Sequence, residues 1–220
     1  MTRLGDLAER LRQVRQQITD AGGSDVEVLA VTKGHPLEVV EAAAQVGLTS
    51  IGENYAQELV AKLGETSLQL TVHFIGQLQT NKVRQIVDLV DVYETVDRAA
   101  LVVELAKRVH GAHVLVQVNT TDDAGKGGCA PSEVEALVIQ STSAGLVVDG
   151  LMTVGPTTGG PEAARAGFRL VRGLCDDLGL ATCSMGMSDD FVVAVQEGST
   201  RVRLGSVLFG MRPAATPRVR

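Results

Sequence analysis

A short apolar strand followed by a helix recurs along this chain from residue 26 to residue 206, and that alternation constrains the fold more than any other feature. Residues 26–32 (VEVLAVT) read as a β-branched strand, and 37–46 as a helix with Pro36 in its first turn and Gly47 at its stop. The unit repeats as strand 48–51 with helix 55–63, then strand 70–75 with helix 79–89. Strand 92–94 precedes a helix capped by Asp97, and strand 114–118 precedes a helix over 132–140. Strand 147–154 leads into a helix that places Ala164, Phe168, Val171, Cys175 and Leu178 on one face. A seventh strand over 181–183 with helix 191–196, and an eighth over 201–204, complete the series. Ahead of it all, Leu7, Leu11, Val14 and Ile18 mark one face of an additional N-terminal helix.

Apolar strands each followed by a helix imply a parallel sheet covered by helices. About eight such units in 220 residues favour closure into a single (β/α)₈ barrel of TIM type. An open doubly wound sheet is the competing architecture, but no GxGxxG follows the first strand. Residues 1–212 are expected to form one domain and 213–220, rich in Arg and Pro, a disordered tail.

A net charge of −6 and only six aromatic residues (four Phe, two Tyr) argue against a nucleic-acid partner. No apolar run is long enough to span a bilayer, and no secretory leader is visible, so no membrane association is expected. Cys129, Cys175 and Cys183 lack metal-ligand spacing and read as reduced thiols of a cytoplasmic protein.

In such a barrel the working groups lie at the C-terminal ends of the strands. Strand one ends in Lys33, where partial desolvation would lower the pKa of the ammonium and make it an amine nucleophile. A solvated strand-end lysine is the alternative. Strands seven and eight end in Ser184-Met185-Gly186-Met187-Ser188 and Gly205-Ser206, adjacent loops of small residues, hydroxyls and open backbone N–H groups. That is the usual place of a phosphate cup, although two tight glycine turns with capping serines would leave the same trace. A phosphate cup facing a buried lysine suggests a phosphorylated aldehyde, as pyridoxal 5′-phosphate is. Arg203, two residues before Gly205, is placed to face the ring nitrogen, with Arg201 its competitor. His73, Lys82 and Lys126 carry weaker signals: a structural donor, and two lysines that attract anions or are simply solvated.

The segments LAVTKGHP, GENYAQE, HFIGQLQTNK, GLMTVGP, SMGMSDDF and GSTRVRLGSVLFG resemble, in order and over nearly the whole chain, the signatures of the pyridoxal phosphate homeostasis protein family. The resemblance implies a barrel similar to the N-terminal domain of alanine racemase, with Lys33 in the Schiff-base position as an internal aldimine. It implies that Ser188, Gly205 and Ser206 hold the phosphate and that Ser184, Met185 and Gly186 complete its loop. It also sets Arg203 toward the ring nitrogen, Asn54 beside the ring and Met152 in the pocket lining. The chain departs from the family's pattern at Gly34-His35 after the lysine, at Val72, and at Ser206, which keeps a hydroxyl.

Two functions from different classes follow. One is a monomeric carrier that binds, buffers and delivers the cofactor to apo-enzymes, with no catalysis of its own. The other is a racemase-like enzyme, which needs bases on both faces of a substrate carbon. In alanine racemase a second domain supplies one of them, and the chain's end near the eighth strand favours the carrier.

Overall fold

The computed structural model describes residues 4–64, 66, 68–121, 123 and 125–211; the expected tail over 213–220 lies outside them. Eight parallel strands close into a barrel in chain order. They are β1 (Glu27–Val31), β2 (Ser50–Glu53), β3 (Thr71–Phe74), β4 (Val92–Val96), β5 (His113–Val118), β6 (Val147–Thr153), β7 (Thr182–Ser184) and β8 (Arg201–Leu204). The open sheet is excluded by the pairing of β1 with β8, in which Glu27, Val28, Leu29 and Ala30 oppose Arg201, Val202, Arg203 and Leu204.

Around the barrel run α2 (Leu37–Gln45), α3 (Ala56–Leu63), α4 (Ala99–Arg108), α5 (Val134–Ser143), α6 (Arg165–Asp177), α7 (Phe191–Gln196) and the single turn α8 (Ser206–Phe209). The additional N-terminal helix is α1 (Leu4–Asp20), which buries Leu7, Leu11, Val14 and Ile18 as its spacing requires. Its Arg10 donates to the Leu208 carbonyl at 3.1 Å, tying α1 to α8. None of the described helices is long and apolar enough to cross a membrane.

Two local expectations are corrected. The helix expected over 79–89 is a 3-10 segment, Thr80–Gln85, followed by turns. Its bonds run three residues back (Lys82 N–H to Gln79 O, Ile86 N–H to Val83 O), and the Arg98 guanidinium occupies the Leu78 carbonyl, which an α-helix would have used. Asp97 does not cap α4. Arg98 holds the N-cap position and pairs with the Asp97 carboxylate at 2.5 Å.

Alternation along β1 sends Glu27, Leu29 and Val31 into the barrel and Val28 and Ala30 toward the helices. Facing Leu29, Gly52 leaves room that a Cβ would take from the Ile75 side chain, 2.9 Å away. Continuing the alternation brings Lys33 to the mouth, at the C-terminal end of the strands.

Candidate functional site

A cavity of about 630 Å³ opens at that mouth. Its walls bring together Lys33, Asn54, Met152, Ser188, Arg203, Gly205 and Ser206, which five different strand ends supply. His35, Ile75 and Met187 line it as well, and the His35 ring packs at a tilt on Phe209 with centroids 5.6 Å apart. Sequence reasoning left these three out because an apolar or aromatic lining residue looks no different from core. A cavity of about 730 Å³ lies at the opposite ends of β2 to β4, among Thr49, Leu70, Thr71 and Asp91, away from these groups.

Lys33 is held from both sides. The Thr32 hydroxyl donates to Glu53 at 2.6 Å, the Thr32 carbonyl accepts from the Lys62 ammonium at 2.8 Å, and the Gly34 N–H donates to Glu58 at 2.5 Å. Lys62, almost fully buried on α3, bridges both carboxylates at 2.7 and 2.8 Å. Burial pushes the Glu53 carboxyl up, and Lys62 and Thr32 only partly offset it. The backbone on either side of Lys33 is therefore pinned to one buried ion cluster, and GENYAQELVAK supplies every member of it.

Arg203 is 4% exposed and lines the cavity, which Arg201 does not. Three of its five N–H groups are engaged: Nη1 donates to the Ser184 carbonyl (2.7 Å) and hydroxyl (2.8 Å), and Nη2 to the Thr153 carbonyl (2.6 Å). Burial pulls its pKa below the ordinary value against Glu94 and Asp190, yet a guanidinium stays cationic. Arg201 lies deeper, bonded to Glu27 at 2.8 Å and Glu94 at 3.1 Å.

Ser184 is placed differently from the expectation that it completes a phosphate loop: its hydroxyl is fully buried under Arg203 and donates to Glu94 at 2.7 Å. The Met185 side chain is in the core and its N–H donates to the Arg201 carbonyl. Gly186 has φ +94°, and a Cβ there would meet the Ala194 side chain at 2.6 Å, so only glycine turns the chain toward Ser188. Ser188 Oγ accepts from the Val207 N–H at 3.3 Å, joining the seventh loop to the eighth. Asp190 secures the same turn by accepting the Met187 N–H at 2.6 Å, and burial pushes its carboxyl up.

His73 is buried below the mouth with Nδ1 2.8 Å from Glu94, the structural role its position suggested. Lys82 is half-buried beside a separate groove of about 230 Å³ lined by Asn54, Tyr55 and Gln79. Lys126, partly exposed, is bonded to Asp123 (2.7 Å) and the Gly155 carbonyl (2.5 Å). Asp123 also accepts from the Thr157 N–H and hydroxyl, and Lys126 and Thr157 together bring its carboxyl down to about 2. The fifth and sixth loops are thereby latched together over one side of the mouth.

The family profile described as alanine racemase, N-terminal domain, matches residues 2–213. A pyridoxal phosphate homeostasis protein of Pseudomonas aeruginosa is 38% identical over 97% of this chain and 99% of its own length. One from Schizosaccharomyces pombe is 35% identical over 93% and 92%. Among solved structures, PipY of Synechococcus elongatus with pyridoxal phosphate bound superposes with a TM-score of 0.83 at 32% identity, covering 93% of this chain and all of PipY. Alanine racemase of Corynebacterium glutamicum shares the fold (TM-score 0.75, 18% identity), and this chain covers 62% of it.

Proposed function

Since the chain belongs to the alanine racemase N-terminal domain family, and within it to the pyridoxal phosphate homeostasis proteins, we propose that it binds pyridoxal 5′-phosphate in the barrel mouth and serves the homeostasis of that cofactor. The observation that carries this reading is the single cavity in which an amine, two serine hydroxyls and an inward guanidinium converge. The residues fit the group. Asn54, among the lining residues, carries a buried Oδ1 without a hydrogen-bond partner, and an unmet acceptor of that kind is costly until a donor reaches it.

When bound, the cofactor supplies an aldehyde that condenses with an amine. Lys33 is the amine, aimed by the cluster at Thr32 and Gly34. Ser188 and Ser206, on loops joined through Val207, take the phosphate with the backbone of Gly205. Ser206 is exposed, so this end of the site remains in contact with water. Arg203 offers its remaining N–H groups to the ring nitrogen, and Met152 packs against the ring. Gly186 shapes the phosphate loop, with Ser184 and Met185 contributing beneath it.

Delivery without catalysis agrees with a rim where Ser206 and Met211 face solvent, because protected carbanion chemistry needs water excluded. We read the recipients as apo-enzymes that use the cofactor, the carrier as a monomer, and its compartment as the cytoplasm. Three buried free thiols support that compartment.

Titration with pyridoxal phosphate, followed by absorbance, tests the division of roles. Lys33→Ala should abolish the visible band. Ser188→Ala and Ser206→Ala should each weaken retention about tenfold, near 1.4 kcal/mol, and keep the band. Equal loss in all three would contradict separate sites for amine and phosphate.

A further inference from the structure

A chain of polar contacts runs along the inside of the barrel from its floor to its mouth. Ser50 and Arg201 both donate to Glu27, at 2.6 and 2.8 Å. Arg201 also reaches Glu94, whose carboxylate receives His73 on the same oxygen and the Ser184 hydroxyl on the other. The Ser184 oxygen in turn accepts from Arg203. Glu94 is fully buried, and so is Ser184.

Hydrogen-bond polarity makes this sequence directional. A serine hydroxyl has one proton and two lone pairs. Glu94, as a carboxylate, only accepts, so it fixes the Ser184 proton on its own side and leaves a lone pair turned toward Arg203. The guanidinium is then clamped by three oxygens: Ser184 O, Ser184 Oγ and Thr153 O. We propose that Glu94 acts through Ser184 as the positioning residue that sets the pose of Arg203 at the cofactor ring. The inference rests on the reading that pyridoxal phosphate occupies the mouth.

Alternatives for holding Arg203 are few among the described residues. The charged and titratable groups that act on it are Glu94 from β4, Asp190 from the loop after β7, Arg201 from its own strand and Cys183 from β7. Of these, Asp190 bonds the Met187 N–H and Arg201 repels, while Cys183 is turned into the core beside Met185. Glu94 is the carboxylate with a hydrogen-bonded route to the guanidinium. Its ionised state is secure: burial alone would raise it, but His73, Arg201 and Arg203 bring it down to about 2.

A fixed Arg203 N–H at the ring nitrogen excludes a proton from that atom. A loosened Arg203 lets a proton compete as pH falls. The test compares the parent chain with Ser184→Ala and Glu94→Gln, each loaded with pyridoxal phosphate, by the pH dependence of the cofactor absorbance band and by affinity. The parent's band should keep its position across the neutral range. In both variants it should shift as pH falls, with affinity weaker by roughly tenfold.

Glu94→Gln leaves two buried guanidiniums short of a counter-charge and is the variant at risk of not folding; Ser184→Ala keeps every charge and carries the test alone. The thermal midpoint without cofactor monitors folding in each. A Ser184→Ala protein whose band and pH profile match the parent's would overturn the inference and leave cofactor binding intact. A parent that shows no band at all would remove the reading beneath it.

Discussion

Lys33 and Lys62 are amines set in different surroundings. Lys62 donates to two carboxylates and a carbonyl within 2.8 Å, which engages all three N–H groups of its ammonium. Lys33 instead lines the open cavity, on a backbone that Lys62 helps to fix. Lys62→Met removes the only cation bonded to the buried Glu53 among the described residues. It should destabilise the protein by about 3 kcal/mol, read as a lower denaturant midpoint. Lys62→Arg should recover part of that loss, and an equal loss in both would mean that shape, not charge, matters at this position. The lysine proposed to attach the cofactor was legible because a lysine closing an apolar strand is conspicuous. The ion cluster that aims it was not, since Glu53, Glu58 and Lys62 meet only once β2 and α3 fold back beside β1. Glu27 and Glu94 did carry a signal: each is a carboxylate inside an otherwise apolar strand, where only a buried partner makes it tolerable.

Among the elements, α1 has the least obvious purpose. It lies outside the repeating units, yet it packs against α8, and Arg10 bonds the Leu208 carbonyl two residues beyond Ser206. Leu11→Ala should cost about 2–5 kcal/mol, because Leu11 is 3% exposed. Arg10→Ala should cost only about 1 kcal/mol of stability and still speed cofactor release, as α8 loses its anchor. Stopped-flow release rates for the two variants, each compared with its own stability, separate anchoring from general loosening. An Arg10→Ala release rate equal to the parent's would remove α1 from the site. All eight strands and the N-terminal helix were readable from periodicity, because each buries a regular stripe. The segment after β3 was not. Its apolar spacing is helical, but Arg98, twenty residues beyond Leu78, takes the Leu78 carbonyl and tightens the turn, an interaction that local pattern cannot contain.

At the scale of the whole molecule, the barrel is organised around a charged interior. Its acid response follows from the sign of the Glu94 shift. The folded-state pKa is about 2 against an ordinary 4.5, so the stabilisation is complete above about pH 4.5 and is lost as pH falls toward 2. Glu27, also lowered, adds in the same sense, while Glu53 and Asp190, raised by burial, oppose it. Denaturant midpoints measured down that range should fall steeply for the parent and less steeply for Glu94→Gln. Parallel curves would show that Glu94 is not among the groups responsible. Closure of this interior into a barrel is also what places Lys33 and the loops of Ser188 and Ser206 around a single mouth, and the order of strand ends made that convergence readable before any contact was known. The inward turn of Ser184 was unreadable, because one residue of register decides whether a strand-end hydroxyl faces the loop or the barrel.

Lys33 is the residue proposed to hold pyridoxal phosphate. The most direct measurement is borohydride reduction of the loaded protein, followed by peptide mass mapping. A pyridoxyl adduct confined to the peptide that contains Lys33, absent from Lys33→Ala and never moving to Lys62, is the predicted result. An adduct spread over surface lysines, or a parent chain that stays unmodified, would contradict the claim.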